Sequence, residues 1–299
     1  MFRSMTKHGM PKPFAILIAA LLALYFVPFN ALPASAAVPN FEIDGNQVSN
    51  GGEDWASLTP GAMADSGTKT NRSLTTFVDN NSQTGADDTT FGSNNKEDSP
   101  PWVATNGGNA TGKSDYGRIA SYSYVQPVSG VDHVFLVLGF DRGSNSSGNA
   151  TDNYYFELNQ ANPQTNNNPN PTRTIGDIRI NLNDDGSNSF TATVQRWNGT
   201  TWVAAPNAGD YVIKANDGTI SSLASWWTSL NVNNGSITPE GFIETSLDLT
   251  SFGVVLGCPS TGFHTINGRS TPMRSASSPP ASWPGSRSPS TCCWSTTSR

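Results

Sequence analysis

The segment Asp177-Ile178-Arg179-Ile180-Asn181-Leu182, followed by Asn183-Asp184-Asp185-Gly186 and then Phe190-Thr191-Ala192-Thr193-Val194, decides the fold class. In the first part Ile178, Ile180 and Leu182 share one face of an extended chain, and Asp177, Arg179 and Asn181 share the other. Phe190, Ala192 and Val194 repeat that period of two, which is the signature of a half-buried strand. The residues between them tolerate positive φ, so the whole reads as a β-hairpin. A second hairpin follows at Trp197-Asn198-Gly199-Thr200-Thr201-Trp202, with Asn-Gly as its turn.

Working outward, the same grammar recurs. Arg118–Val125 sets Ala120, Tyr122 and Tyr124 against Ile119, Ser121 and Val125. Val134–Leu138 is apolar without interruption, as expected of a strand covered on both faces. A polar loop over 141–152 leads to a strand at Tyr154–Leu158, and Phe242–Leu249 reads as another. Residues 159–171 form an Asn/Pro-rich loop, and only Ser221–Leu230 invites a short helix. Short strands separated by turn signals predict an all-β fold, an antiparallel β-sandwich of jelly-roll-like type.

Composition agrees. Of 299 residues, 35% are hydrophobic and 13% charged, below ordinary globular averages. Asn, Ser, Thr and Gly carry the polarity, which disfavours helical bundles. Eight Trp, seven Tyr and fourteen Phe supply the material of a core.

The chain divides into three parts. Residues 1–36 read as a signal peptide: Arg3, Lys7 and Lys12 precede an apolar run, and Ala34-Ser35-Ala36 offers a cleavage site. With the roughly 20 apolar residues of a spanning helix as the standard, no membrane span is expected after cleavage. Residues 37–270 form the sandwich domain. Residues 271–299 hold nine Ser and five Pro but no acid and no Leu, Ile or Val, and read as a disordered Ser/Pro-rich tail, either a natural linker or, the preferred reading, a stretch out of frame with the strands that should close the domain. The body 37–270 carries a net charge of −12, which repels phosphate backbones and excludes nucleic acid as a natural partner. The mature chain is expected to be secreted, extracellular or cell-wall associated. Its three cysteines, Cys258, Cys292 and Cys293, are an odd number for an exported protein, and spacing alone does not pair them.

Several short motifs occur in a telling order: Phe41-Glu42-Ile43-Asp44-Gly45-Asn46 with Asp54-Trp55, Asp87-Asp88-Thr89-Thr90-Phe91-Gly92-Ser93 with Lys96-Glu97-Asp98 and Trp102, Lys113-Ser114-Asp115, Phe140-Asp141-Arg142, Phe156-Glu157-Leu158-Asn159 and Gly257-Cys258-Pro259. Over about 41–270 they resemble the N-terminal domain of exported actinobacterial surface proteins, whose relatives continue into prealbumin-like, pilin-type repeats and a wall-sorting tail. The resemblance implies export, a β-sandwich head and an adhesive setting. It carries no activity over to this chain, which departs from the pattern where the repeats and anchor would follow.

Candidate chemistry can be placed on named residues. Calcium takes six to eight oxygens, and Asp87, Asp88, Asp98 and Asp115, with Asp79 and Glu97 nearby, form the acidic region expected to hold it. Asn181-x-Asn183-x-Asp185-Gly186 starts like an EF-hand loop, but Ala192 stands where the bidentate Glu belongs. Trp102 and Trp202, with Trp226 and Trp227, are the rings that could cover the apolar face of a sugar. A glycan or another cell-surface ligand is therefore the expected partner. The rival class is a secreted carbohydrate-active enzyme using a pair among Glu157, Glu240 and Glu244. A serine hydrolase would need His133 or His264 as base, and no Gly-x-Ser-x-Gly elbow occurs. Lys69, Lys96, Lys113 and Lys214 are the lysines open to an intramolecular isopeptide, with Lys113 opposite an Asn as the arrangement sought.

Overall fold

Alternating side chains bury one face only if a second layer meets them, and in the computed structural model that layer is another sheet. The structure describes residues 40–78, 88–91, 104–108, 116–142, 152–161, 173–184, 190–229, 232, 235–254, 263, 265–272, 281–282 and 286–287. Its strands in chain order are β1 (Gly61–Ala62), β2 (Thr70–Val78), β3 (Asp88–Phe91), β4 (Ala104–Gly108), β5 (Tyr116–Val128), β6 (Val131–Arg142), β7 (Asp152–Asn159) and β8 (Ile178–Asp184). They continue with β9 (Phe190–Trp197), β10 (Trp202–Ala204), β11 (Tyr211–Ala215), β12 (Phe242–Asp248), β13 (Thr265–Pro272), β14 (Ala281–Ser282) and β15 (Ser286–Arg287).

The first sheet has the order β1-β2-β5-β6-β12-β11. The second runs β10-β9-β8-β7-β13-β14-β3-β4, with β15 also on β13. Every named strand pair is antiparallel. The chain is thus an all-β antiparallel sandwich, and residues 36–299 form one compact unit. The decisive hairpin is β8–β9, in register from Ile178 opposite Arg196 to Asp184 opposite Phe190. The second is β9–β10, where Trp202 lies opposite Trp197 and Gly199 takes φ +102°.

Two cores result. Between the sheets, Val134, Leu136, Leu138, Phe140 and Leu247 meet Tyr154, Phe156, Leu158, Ile178, Ile180, Leu182 and Val194. On the other side of the first sheet, Ala120, Tyr122, Tyr124, Phe135 and Val137 lie under Phe41, Trp55, Leu58, Ile220 and Trp227. This second core is closed by two loop segments, 40–58 and the described residues of 216–237. The first is clipped by a parallel bridge of Phe41 to Glu53, and the second by a bridge of Ile220 to Ile237. The uninterrupted apolar run of β6 is explained: both of its faces are covered.

A buried ion pair ties the sheets together at one end. Arg142 on β6 donates from Nη1 to Asp184 Oδ2 on β8 at 2.8 Å and to the Tyr154 hydroxyl on β7. Its Nε donates to the Glu240 carbonyl at 2.7 Å.

The expected helix over Ser221–Leu230 is not found among the described residues. Residues 221–229 make a turn and extended chain, because their groups are drawn to partners outside the segment. Ala224 N–H donates to Gln47 Oε1 at 3.0 Å, Trp226 Nε1 to the Leu58 carbonyl at 2.9 Å and Trp227 Nε1 to Asp141 at 2.6 Å. A short 3-10 turn stands instead at Trp55–Ser57, opened by Asp54 in a capping box with Ser57. Among the described residues no helix is long and apolar enough to cross a membrane. The expected signal peptide lies outside the described residues. In the tail, Thr271 and Pro272 complete β13, and β14 and β15 pair with it; the other tail residues and all three cysteines lie outside the described set.

Candidate functional site

Because Tyr154, Phe156 and Leu158 point inward, the alternate residues of β7 occupy the outer face of the second sheet. Register sets them in rows: Asn153, Asn183 and Thr191; then Tyr155, Asn181 and Thr193; then Glu157, Arg179, Gln195 and Ala204. Trp197 and Trp202 close the lattice, their rings edge to face at 5.4 Å.

Charged groups stack on these rings. The Arg173 guanidinium lies 5.3 Å from the Trp197 ring and 5.2 Å from that of Trp202, and Arg179 lies 4.8 Å over Trp202. Arg173 also grips Glu157 with two parallel hydrogen bonds, Nε to Oε1 at 2.8 Å and Nη2 to Oε2 at 2.9 Å, the strong bidentate geometry. Arg179 donates to Gln195 Oε1 at 2.9 and 2.6 Å. At the edge, Asp177 accepts from Asn159 Nδ2, Gln160 N–H and Thr174 N–H; burial outweighs these donors and pushes its carboxyl up from the ordinary value. Three buried polar atoms on this face have no hydrogen-bond partner: Trp202 Nε1, Asn153 Oδ1 and Asn181 Oδ1. A structure ordinarily leaves few such atoms.

Trp202 is thus placed on this face, 8% exposed and flanked by arginines rather than lying open as a bare platform. Trp102 lies outside the described residues. Trp226 and Trp227 belong to the core beneath the loops. Of the expected calcium ligands, Asp87, Asp98 and Asp115 lie outside the described residues, as do Asp79 and Glu97. Asp88 opens β3, in register with Gly108. Asn181 and Asn183 bond each other at 3.2 Å on the β8 strand, in keeping with a hairpin rather than a metal loop.

The fold separates Glu157 from Glu244. Glu157 is on the outer face of the second sheet. Glu244 is on the far face of the first sheet, since Ile243 and Leu247 occupy the inter-sheet core. Two sheets about 10 Å apart stand between them, which rules out the roughly 5–10 Å separation a glycosidase pair needs. Glu240 sits beside Arg142, with 3.7 Å between the charged groups. His133 contacts Asp248 at 2.6 Å, and Ser251 Oγ also donates to that same Asp248 at 2.9 Å. Here the carboxylate sits in the middle, whereas a hydrolase triad needs the histidine there. Lys69 is buried, donating to Glu53 and to the Asn40 carbonyl; burial, opposed by Glu53, lowers its pKa. Lys214 pairs with Asp217 at the surface. Lys96 and Lys113 lie outside the described residues, so the isopeptide arrangement sought at Lys113 does too.

Sequence reasoning missed a second constellation, in the loop that carries Phe41–Asn46. Glu244 accepts from Asp44 N–H at 2.9 Å and Gly45 N–H at 2.7 Å on Oε1, and from Trp55 Nε1 at 2.8 Å on Oε2. Burial pushes its carboxyl well above the ordinary value, against the pull of these donors. Gly45 is required there: φ is +83°, and a Cβ would fall 2.6 Å from the Ala215 carbonyl oxygen. Asp54 caps the 3-10 turn by accepting Trp55 N–H at 2.5 Å. Burial first, then repulsion from Asp44 and Glu42, pushes its carboxyl up to about 7. The available signal was the Asp54-Trp55-Ala56-Ser57 capping box.

The chain matches no family model, and no curated protein or solved structure is similar enough to it to count as a match.

Proposed function

We propose that the chain is an exported, non-catalytic β-sandwich that binds a cell-surface ligand, a glycan in the first instance, on the outer face of its second sheet. The observation that carries this reading is the lattice around Trp197 and Trp202. It combines aromatic rings, guanidinium forks and amides with buried polar atoms left unpartnered at Trp202, Asn153 and Asn181. Sugars ask for that mixture: an aromatic ring for their C–H surfaces, here the half-buried Trp197, and fixed donors and acceptors for their hydroxyls. The signal-like N-terminus, the Asn/Ser/Thr-rich composition and the resemblance to actinobacterial surface heads support the extracellular, adhesive setting.

Glu157 supports binding over catalysis. Both of its oxygens are engaged by Arg173, and Glu244 is on the wrong side of the sandwich to act with it. The test is a polysaccharide and oligosaccharide panel, read by calorimetry for binding and by reducing-end assay for turnover. Binding that falls at least tenfold in Trp197→Ala and Asn181→Ala, without turnover, is the expected result. Hydrolysis abolished by Glu157→Gln would overturn it in favour of a secreted carbohydrate-active enzyme.

A further inference from the structure

We propose that Glu42, Asp44 and Asp54 form a binding site for a divalent cation, with calcium the ion of best fit. One carboxylate oxygen from each of the three lies within 4.8 Å of the others. Oxygens bound to one ion at about 2.3–2.6 Å stand no more than about 5 Å apart, so the three carboxylates are close enough to share a single calcium once their side chains draw in around it.

The independent sign of a missing ligand is Asp54. Its side chain is wholly buried at 0% exposure. Oδ1 is occupied by the Trp55 N–H, but Oδ2 has no hydrogen-bond partner. A buried carboxylate oxygen without a donor is costly, and this carboxylate lies in a cluster with two further acids. Among the described residues no Lys or Arg pairs with Glu42, Asp44 or Asp54. Lys69 and Arg72 are both spent on Glu53, and Lys214, opposite Glu244 in register, is spent on Asp217. A fourth carboxylate, Glu244, lies just beneath and is repelled by both Asp44 and Asp54. A divalent cation offsets this concentration of charge at one point.

The other two ligands are held ready. Glu42 accepts Asn50 N–H at 2.6 Å on Oε2 and Gly52 N–H at 2.5 Å on Oε1. Asp44 accepts Asn46 N–H at 3.0 Å and Asn50 Nδ2 at 2.9 Å. Each of these oxygens has a second lone pair for an ion. The donor set is oxygen only, without His or Cys, which favours a hard cation over zinc or copper. A loop of mixed exposure that supplies some ligands and leaves the rest to water suits calcium better than magnesium with its strict octahedron.

The experiment uses the full chain. Thermal melts are recorded in chelator, then from micromolar to millimolar calcium, and in magnesium. Terbium luminescence sensitised by Trp55, which adjoins Asp54, provides a direct readout of occupancy. Calcium is expected to raise the melting temperature by about 5 °C or more at 100 times Kd, and to displace terbium. Asp44→Asn, at an exposed position, is expected to lose most of the shift and the luminescence. Asp54→Asn keeps the capping oxygen and should lose both entirely. A melt that calcium leaves unchanged overturns the proposal. So does a shift that survives in Asp44→Asn, which would put the ion elsewhere, as among Asp87, Asp88, Asp98 and Asp115. Glycan binding in chelator reads the other face separately, so the two readings fail independently.

Discussion

Between the sheets, Leu138, Phe140, Phe156, Ile180 and Leu182 are enclosed by strands on both sides; across the first sheet, Tyr122, Tyr124, Phe135 and Trp227 are enclosed by strands on one side and loops on the other. The contrast decides where the buried charge goes. Strands satisfy their backbone groups through ladders, so the inter-sheet core needs few polar side chains. Loops have no ladder, and every buried N–H must find another acceptor. The lid therefore recruits side chains: Glu244 for Asp44 and Gly45, Asp54 for Trp55, Gln47 for Ala224, and Asn216 Oδ1 for Phe242. Acids do this well because they only accept. Their accumulation in one place is the consequence, and it differs from the charge between the sheets, where the buried Asp184 is paired with Arg142.

The largest test is to cut one aromatic anchor from each region. Phe156→Ala and Trp55→Ala should each cost about 3–5 kcal/mol. Their footprints should differ. Amide exchange in Phe156→Ala should quicken along β6, β7 and β8 together, as a global loss. In Trp55→Ala it should quicken mainly over 40–58 and 216–237, with the β7–β8 amides still protected. Identical footprints would show that lid and sandwich are one cooperative unit, and the comparison would collapse.

What was readable beforehand follows the same division. Ile178, Ile180 and Leu182 announce their face because a strand repeats every two residues. Tyr122 and Tyr124 shared a face with Ala120 for the same reason. The run Val134–Leu138 even signalled that β6 has neighbours on both sides. Nothing periodic marks the lid. Ser221–Leu230 invites a short helix in the sequence, and loop-closed aromatics such as Trp226 and Trp227 have no pattern of their own to correct it. Glu244 looked like any strand acid, since its three donors come from residues about 200 positions earlier. Glu42, Asp44 and Asp54 belong to one motif in the sequence, but their spacing does not show that the bridge of Phe41 to Glu53 folds the loop back and brings the three carboxylates together.

An intermediate test uses alkali. Burial holds the Tyr122 and Tyr124 hydroxyls, and that of Tyr154 between the sheets, above the ordinary phenol value. In the unfolded chain these groups ionise near pH 10. A raised folded pKa means that their contribution is intact below pH 10 and is lost as pH rises above it. Each group removes up to about 1.4 kcal/mol per pH unit in that range. Absorbance at 295 nm should show these three phenols ionising only as the fold is lost. Early ionisation of Tyr122 and Tyr124, with Tyr154 still protonated, would show the lid opening first and would sharpen the division.

The smallest effect is the most informative about the lid's acids. In Glu244→Gln two consequences oppose each other. The substitution removes a buried charge that repels Asp44 and Asp54, which favours the variant. It also replaces one acceptor by a donor, although all three neighbours at that carboxylate are N–H groups. Whichever way the amide turns, its NH2 meets either the Trp55 indole or the Asp44 and Gly45 amides. A donor facing a buried donor loses a hydrogen bond and leaves both groups unsatisfied, at about 1–3 kcal/mol, whereas the repulsion is shared among several carboxylates. The net expectation is a loss of about 1–2 kcal/mol at neutral pH, read as a lower denaturant midpoint with unchanged slope. A variant more stable than the parent would mean that charge repulsion dominates the loop, and that Glu244 is retained at a cost to the fold rather than as its anchor.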